Sequence, residues 1–76
     1  MAQIELYGAI RCPHTQEIGE WLEQTGREFE EYDVEADPEA RRRMQEISGG
    51  IRNIPVLIED GKVIQVGWRG QGCVVE

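Results

Sequence analysis

Alternating and helix-like spacings of apolar residues mark the elements of the 76-residue chain. Residues 3–7 alternate, with Ile4 and Leu6 on one face, and this pattern predicts a first strand. The next apolar positions recur at the three- and four-residue spacing of a buried helix face. They are Ile18, Trp21, Leu22 and Thr25. Pro13 is placed to begin this helix, and Gly26 is placed to end it.

The same kinds of apolar spacing predict a second strand and a second helix. Residues 29–34 predict a strand with Tyr32 and Val34 on one face. Asp37 and Pro38 indicate a helix start, because an acidic N-cap is followed by proline at the first helical position. The predicted buried face of this helix and its glycine stop are Ala40, Met44, Ile47, Gly49 and Gly50.

The last predicted elements form a hairpin. Residues 55–59 are an apolar run typical of a strand buried on both faces, and residues 62–66 form the return strand. Asp60 and Gly61 supply the turn between them. The order is β-α-β-α-β-β, which predicts an α/β fold with a mixed four-stranded sheet in one domain of residues 1–76.

Composition and charge exclude several classes of function. Eight Lys and Arg residues against 15 Asp and Glu residues give a net charge of −7. Nucleic acids and anionic membranes attract basic surfaces, so neither is an expected partner. No segment has the pattern of a signal peptide or a membrane span, and a cytoplasmic location is the default expectation.

Cys12 is the residue most suited to chemistry. It occupies the N-cap position of the first predicted helix, where free N–H groups and the helix dipole stabilise an anion such as a thiolate. Arg11 adds a positive neighbour, and Thr15 can offer a hydroxyl group to the sulfur. We therefore expect a lowered Cys12 pKa and an accessible nucleophile. The alternative is a cysteine that merely begins a helix, although Ser, Thr, Asp or Asn would do that better.

The motif Cys12-Pro13-x-Thr15, the segment 53–55 (Asn-Ile-Pro) and the glycine-bearing stretch after Val66 together resemble the glutaredoxin-type members of the thioredoxin-fold family. The chain is most similar to the prokaryotic UXX-star (seleno)proteins. Some of these carry selenocysteine at the position of Cys12 and share a Gly-Trp-x-Gly-x-Gly-Cys ending like residues 67–73. The resemblance implies a thioredoxin-like fold and a thiol–disulfide oxidoreductase.

The resemblance also implies roles for particular residues. Cys12 would attack the substrate, and Pro55 would form a cis peptide bond beside it. The backbone of Ile54 would pair with the substrate like an added strand. Three further residues would belong to the substrate-binding surface, namely Arg11, Pro13 and Gly67. Implied partners are a disulfide-bearing protein or a small thiol or peroxide substrate, with glutathione or a thioredoxin reductase-type protein as reductant.

Three departures from the family pattern modify these expectations. Thr15 replaces the second cysteine of dithiol glutaredoxins, so no disulfide can form within the motif. Residues 67–70 lack the aspartate of the family's Gly-Gly-x-Asp, which holds the γ-glutamyl end of glutathione. Glutathione is therefore expected as a co-substrate and not as a tightly bound cofactor. Only ten residues follow Val66, so the usual C-terminal helix is expected to be lacking or reduced.

Cys73 is the expected resolving thiol. The last sheet strand is predicted to run parallel to the first, so Gly67 should leave the sheet at the same end as Cys12. Six extended residue steps span roughly 20 Å, and the tail glycines would keep the segment flexible. The alternative is a tail strand that simply buries the Cys73 thiol.

Other interpretations stay open at this point. A glutathione-dependent iron–sulfur cluster carrier and a non-catalytic binding module are the alternative functions. A metal site of His14, Cys12 and Cys73 would lack a fourth ligand, so no metal is expected. His14 is better explained as an exposed first-turn residue, and residues 41–43 (Arg-Arg-Arg) as a solvated helix face. Trp68 either docks a partner or covers the face left by the missing helix.

Overall fold

Two helices and six strands make up residues 3–74, which the computed structural model describes. The strands are β1 (Ile4–Gly8), β2 (Glu30–Asp33), β3 (Asn53–Ile54), β4 (Val56–Glu59), β5 (Lys62–Val66) and β6 (Cys73–Val74). The helices are α1 (Pro13–Gln24) and α2 (Pro38–Ser48). Neither helix has the length and apolar character needed to cross a membrane.

Four strands form the predicted mixed sheet, in the order β2-β1-β4-β5. β1 pairs in parallel with β2 and antiparallel with β4, and β4 pairs antiparallel with β5. β5 therefore runs parallel to β1, so both strands end at the edge of the sheet where Cys12 lies. The predicted fold class is confirmed, and no helix follows β5 within the described residues.

The sheet separates two apolar clusters. The cluster associated with α1 contains Ile4, Leu6, Ile18, Leu22 and Leu57. The cluster associated with α2 includes Tyr7, Val34, Met44, Ile54, Val56, Ile58 and Cys12. Cys12 therefore belongs to the packed interior, and the geometry of its surroundings is set by the core.

The buried face of α1 differs from the predicted one. Thr15, Ile18, Gly19 and Leu22 are buried, whereas Trp21 is 39% exposed and Thr25 is exposed. The difference amounts to a rotation of roughly 60° at 100° per residue. Gly19 lies on the observed buried face, and a glycine gives no hydrophobic signal in the sequence. A Cβ added there would meet only an ordinary contact, 3.8 Å from the Leu6 side chain.

The helix ends follow the predicted capping. The Asp37 carboxylate accepts hydrogen bonds from the backbone N–H groups of Glu39 and Ala40, at 3.0 and 3.3 Å. Gly26 and Gly49 take left-handed backbone conformations, both with φ of 75°, as the chain leaves α1 and α2.

The predicted strand over residues 55–59 is present as β4, which begins at Val56, one residue later than predicted. Pro55 separates the two-residue β3 from β4, and the Ile54–Pro55 peptide bond is cis, as predicted from the family resemblance. Val56, Leu57 and Ile58 are buried, which confirms a strand covered on both faces. The second strand is shorter than predicted and spans Glu30–Asp33, because residues 29 and 34 lie outside its ladder.

Candidate functional site

Cys12 is the N-cap residue of α1, as predicted. Its backbone is extended, with φ of −91° and ψ of 112°, and its carbonyl oxygen accepts a 3.1 Å hydrogen bond from the Thr15 N–H. Its own N–H donates to the Ala9 carbonyl at 3.1 Å. The side chain does not cap the helix, so the sulfur is available for another bond. The loop between β1 and α1 thus fixes a sulfur at a helix N-terminus.

The sulfur of Cys12 forms a disulfide bond with Cys73. The two Cα atoms are 6.1 Å apart, within the range that a disulfide requires. Cys12 is fully buried and Cys73 is half-buried. The expectation of an accessible sulfur at Cys12 is therefore wrong for this oxidised form, because the C-terminal segment covers it.

The segment between β5 and β6 is a folded hairpin and not the extended, flexible tail that the glycine content predicted. Trp68 and Gln71 exchange backbone hydrogen bonds of 2.7 and 2.9 Å. The two residues between them, Arg69 and Gly70, both have positive φ, 53° and 77°. These values are those of a type I′ turn. The turn reverses the chain and brings Cys73 back towards Cys12.

β6 pairs antiparallel with β3, the strand that leads into Pro55. Cys73 lies opposite Ile54, and Val74 lies opposite Asn53. The backbones approach so closely at Gly72 that an added Cβ would lie 2.5 Å from the Ile54 carbonyl oxygen. Gly67 is held similarly, since its N–H donates to the Pro55 carbonyl at 2.6 Å. The tail strand that the sequence offered as an alternative is thus present as β6, but its pairing with β3 was not predicted, because only the folded tail creates it.

Arg11 contacts the tail directly. Its Nε lies 2.7 Å from Glu35 Oε2 in an exposed ion pair, and its Nη2 donates a 3.1 Å hydrogen bond to the Val74 carbonyl. The predicted positive neighbour of Cys12 is thus engaged by a carboxylate and by the strand that carries Cys73. Glu35 was not predicted, because nothing in the sequence distinguishes it from the other acidic residues.

Thr15 is buried in the first turn of α1. Its Oγ1 accepts a hydrogen bond from the Ala9 N–H at 3.4 Å. The side chain fills the space beside Gly8, where an added Cβ would overlap it. Its predicted interaction with a Cys12 thiolate stays a prediction. Pro13 begins the helix on the exposed surface, and His14 lies in the first turn but is half-buried and not exposed as predicted.

Trp68 packs against α1. Its ring centroid lies 5.6 Å from that of Trp21, and it contacts the α1-side cluster of Ile4, Leu6, Ile18, Leu22 and Leu57. The Arg69 guanidinium lies 5.7 Å from the centroid of the same ring. Of the two interpretations of Trp68, the structure supports the covering role, and this contact anchors the hairpin on the body of the domain.

A polar network lies in the α2-side core beneath the site. The Tyr7 hydroxyl donates a 2.8 Å hydrogen bond to Glu5, and Glu5 is 3.5 Å from Arg43. Burial, reinforced by the hydrogen bond to Glu5, raises the pKa of Tyr7 to about 12. Arg43 also lies over the Tyr32 ring, so one member of the arginine run has a structural role beyond a solvated face.

The described residues hold no group of three or more His, Cys, Asp or Glu side chains arranged to bind a metal ion. His14, Cys12 and Cys73 do not form such a group, since both cysteine sulfurs are joined to each other.

Comparisons with known proteins give one consistent result. The family model for glutaredoxin matches residues 4–64. A probable glutaredoxin of Synechocystis sp. is 35% identical over 63 residues, which cover 83% of this chain and 72% of that protein. The resemblance to the narrower UXX-star group is not tested by these matches and stays a prediction.

Solved structures share the architecture of this chain. The thioredoxin-like protein BC3987 superposes with a TM-score of 0.73 at 31% identity, covering 80% of this chain and 82% of that one. A mutant of that protein gives a TM-score of 0.76 at 30% identity, covering 87% and 82%. Glutaredoxin 1 from Francisella tularensis gives 0.68 at 20% identity, covering 90% and 85%, which supports the fold alone.

Proposed function

This chain belongs to the glutaredoxin family, and we propose that it is a thiol–disulfide oxidoreductase in which Cys12 is the nucleophile and Cys73 the resolving thiol. The observation that supports this most directly is the disulfide between these two residues, with Cys12 at the N-cap of α1. A helix N-terminus stabilises the thiolate that must attack, and a second thiol within bonding distance completes the cycle in one chain.

The reaction begins with reduced protein. The Cys12 thiolate attacks one sulfur of a substrate disulfide and forms a mixed disulfide, and the other substrate sulfur leaves as a thiolate. The Cys73 thiolate then attacks the Cys12 sulfur and forms the Cys12–Cys73 bond, and the second substrate sulfur leaves. The substrate disulfide gains two electrons, and the cysteine pair loses two.

Reduction of the Cys12–Cys73 disulfide closes the cycle. Two glutathione molecules or one dithiol reductant supply the two electrons, in two exchanges that reverse those above. Glutathione acts here as a co-substrate from solution, because residues 67–70 lack the aspartate of the family's γ-glutamyl site and instead form the start of the tail hairpin. Either a disulfide-bearing protein or a small disulfide fits this chemistry.

Non-reducing peptide mapping after mild oxidation tests the proposal. Wild type should yield a peptide pair that joins Cys12 to Cys73 within one chain, and Cys73→Ser should accumulate a glutathione adduct on Cys12. Turnover of a small disulfide with glutathione should be lower in Cys73→Ser and abolished in Cys12→Ser. If Cys12→Ser retained full turnover, the proposal would be wrong. If Cys73→Ser turned over the small disulfide as fast as wild type while Cys12→Ser was inactive, an external thiol and not Cys73 would be the resolving group.

A further inference from the structure

The edge of β3 beside Cys12 is occupied by part of the chain itself. Among the described residues, Cys73 and Val74 of β6 lie opposite Ile54 and Asn53. An isolated pair of strands has little stability of its own. The disulfide, the Arg11 hydrogen bond to Val74 and the Trp68 contact with Trp21 hold it in place.

We propose that β6 is a displaceable plug on the β3 edge, where the family resemblance places the substrate backbone, and that a partner protein's extended segment docks there only if glycine directly precedes its reacting cysteine. This inference rests on the proposed function and names the partner's chemistry at the same site. β3 can pair with one segment on this edge, so the partner segment and β6 exclude each other. When β6 leaves, the β3 edge beside the nucleophile is exposed, and an exposed strand edge is a template for strand addition.

The requirement for glycine comes from Gly72. A Cβ at this position would lie 2.5 Å from the Ile54 carbonyl oxygen and 3.6 Å from the Gly67 Cα. Real Cβ atoms do not approach backbone oxygen so closely, so a partner segment in the same register needs glycine before its cysteine. The following position is permissive, because the Val74 side chain is 58% exposed and Arg11 contacts only its main-chain carbonyl.

The return of β6 to the β3 edge also couples resolution of the mixed disulfide to release of the reduced partner. In the mixed disulfide, the partner's cysteine is bonded to Cys12 and its segment occupies the β3 edge. Attack by the Cys73 thiolate forms the Cys12–Cys73 bond and expels the partner's cysteine as a thiolate. Because β6 regains the edge in the same process, the reduced partner loses its covalent bond and its backbone pairing together.

The test uses the full chain carrying Cys73→Ser, in which Cys12 is the remaining thiol. The probes are two peptides, Gln-Gly-Cys-Val-Val-Glu and Gln-Val-Cys-Val-Val-Glu, each activated as a mixed disulfide with 5-thio-2-nitrobenzoate. Release of the coloured thiolate reports attack by Cys12. Each rate is divided by the rate of the same peptide with free cysteine, and 2-hydroxyethyl 5-thio-2-nitrobenzoate disulfide serves as the small reference.

We expect the glycine peptide to react at least tenfold faster than the valine peptide after this correction. Adding Gly72→Ala should loosen β6 and raise the rate with the glycine peptide about threefold or more, relative to the small reference. Gly19→Ala is the matched control, because its added Cβ meets only ordinary contacts of 3.7 and 3.8 Å, and this ratio should not change.

The outcomes distinguish a failure of the plug and its glycine selectivity from a failure of the proposed function. Equal rates for the two peptides overturn the selectivity, and an unchanged ratio in Gly72→Ala overturns the plug, even if the small disulfide reacts readily and the proposed function stands. If neither the small disulfide nor either peptide reacts with Cys12, the proposed function itself fails. Hydrogen exchange of the amides of residues 53 and 54 gives a second measurement, and it should be faster in Gly72→Ala than in Gly19→Ala.

Discussion

Arg11, which directly precedes the N-cap cysteine of α1, donates a hydrogen bond to the main-chain carbonyl of Val74, which directly follows the other cysteine of the disulfide. This hydrogen bond is a second, non-covalent link between the chain segments that carry the two cysteines. Glu35 holds the Arg11 side chain in position for it. The link joins the loop before α1 to the plug strand, so it is formed fully only when β6 is docked.

Replacing Arg11 with Gln should weaken the oxidised state. The ion pair with Glu35 does not involve β6, whereas the hydrogen bond to Val74 forms only when β6 is docked, and such a bond contributes about 0.5–1.5 kcal/mol. We therefore expect the equilibrium constant for forming the Cys12–Cys73 disulfide to fall by roughly two- to tenfold. Titration against defined ratios of reduced and oxidised glutathione measures it. Arg42→Gln removes the same charge on the far side of α2, and an equal fall in that variant would show a general charge effect.

The pKa of Cys12 should lie at least one unit below the value of about 8.5 for a free cysteine. The helix N-terminus stabilises the thiolate and leaves the thiol unaffected, which lowers the pKa. The rate of iodoacetamide alkylation against pH, measured on Cys73→Ser, gives the midpoint. The same chain unfolded in urea provides the reference, and a folded midpoint at or above the unfolded one would contradict the assignment of Cys12 as an activated nucleophile.

Reduction of the disulfide should destabilise the domain substantially. The bond joins residues separated by 61 positions, and a loop of that length corresponds to about 4 kcal/mol of chain entropy in the unfolded state. Small domains have a total stability of only about 5 kcal/mol at the lower end. Urea unfolding with and without a reductant measures the difference. In Cys73→Ser the reductant should change nothing, and a wild-type loss below about 1 kcal/mol would contradict this estimate.

Tyr7 should make the stability fall at alkaline pH. Its folded pKa is raised from 10.0 to about 12, so the folded state holds its proton more tightly than the unfolded state does. The stabilisation is fully present below pH 10 and is lost as pH rises from 10 towards 12. By about pH 11 the expected loss is about 1.4 kcal/mol.

Urea unfolding of the oxidised protein at about pH 9, 10 and 11 measures this loss. Tyr7→Phe removes the titrating group and should give a flatter profile, whatever its stability at the lowest of these pH values. Tyr32→Phe is the comparison at the stacked partner ring, 5.0 Å away, which keeps the Tyr7 hydroxyl and its bond to Glu5. An identical pH profile in wild type and Tyr7→Phe would show that the fall has another source.

Most of the fold could be predicted from patterns among neighbouring residues. The Asp37 N-cap, the Asp60-Gly61 turn and the apolar run ending at Glu59 each depend on a few neighbouring residues, and the structure has all three. The parallel placement of β1 and β5 followed from element order, and it correctly brought Cys73 to the end of the sheet where Cys12 lies.

The features that could not be predicted depend on contacts between residues that are distant in the sequence or on a turn without the usual turn residues. Arg69 occupies a turn position with positive φ that Asn or Asp would have signalled, so the tail hairpin had no recognisable sequence mark. The pairing of Cys73 with Ile54 exists only once that hairpin has formed. Glu35 meets Arg11 because two loops converge, and neither residue type nor spacing distinguishes such a pair beforehand.

The disulfide turns the oxidised chain into a covalent ring that is preceded by an N-terminal arm. The ring runs from Cys12 to Cys73 and contains both helices and strands β2 to β5, while the arm carries β1. That arm is an interior strand of the four-stranded sheet, held on either side by β2 and β4 of the ring. A peptide bond cut anywhere within the ring therefore leaves one covalently connected molecule that still carries its arm. The two pieces of a nicked chain would separate only after the sulfur–sulfur bond was opened.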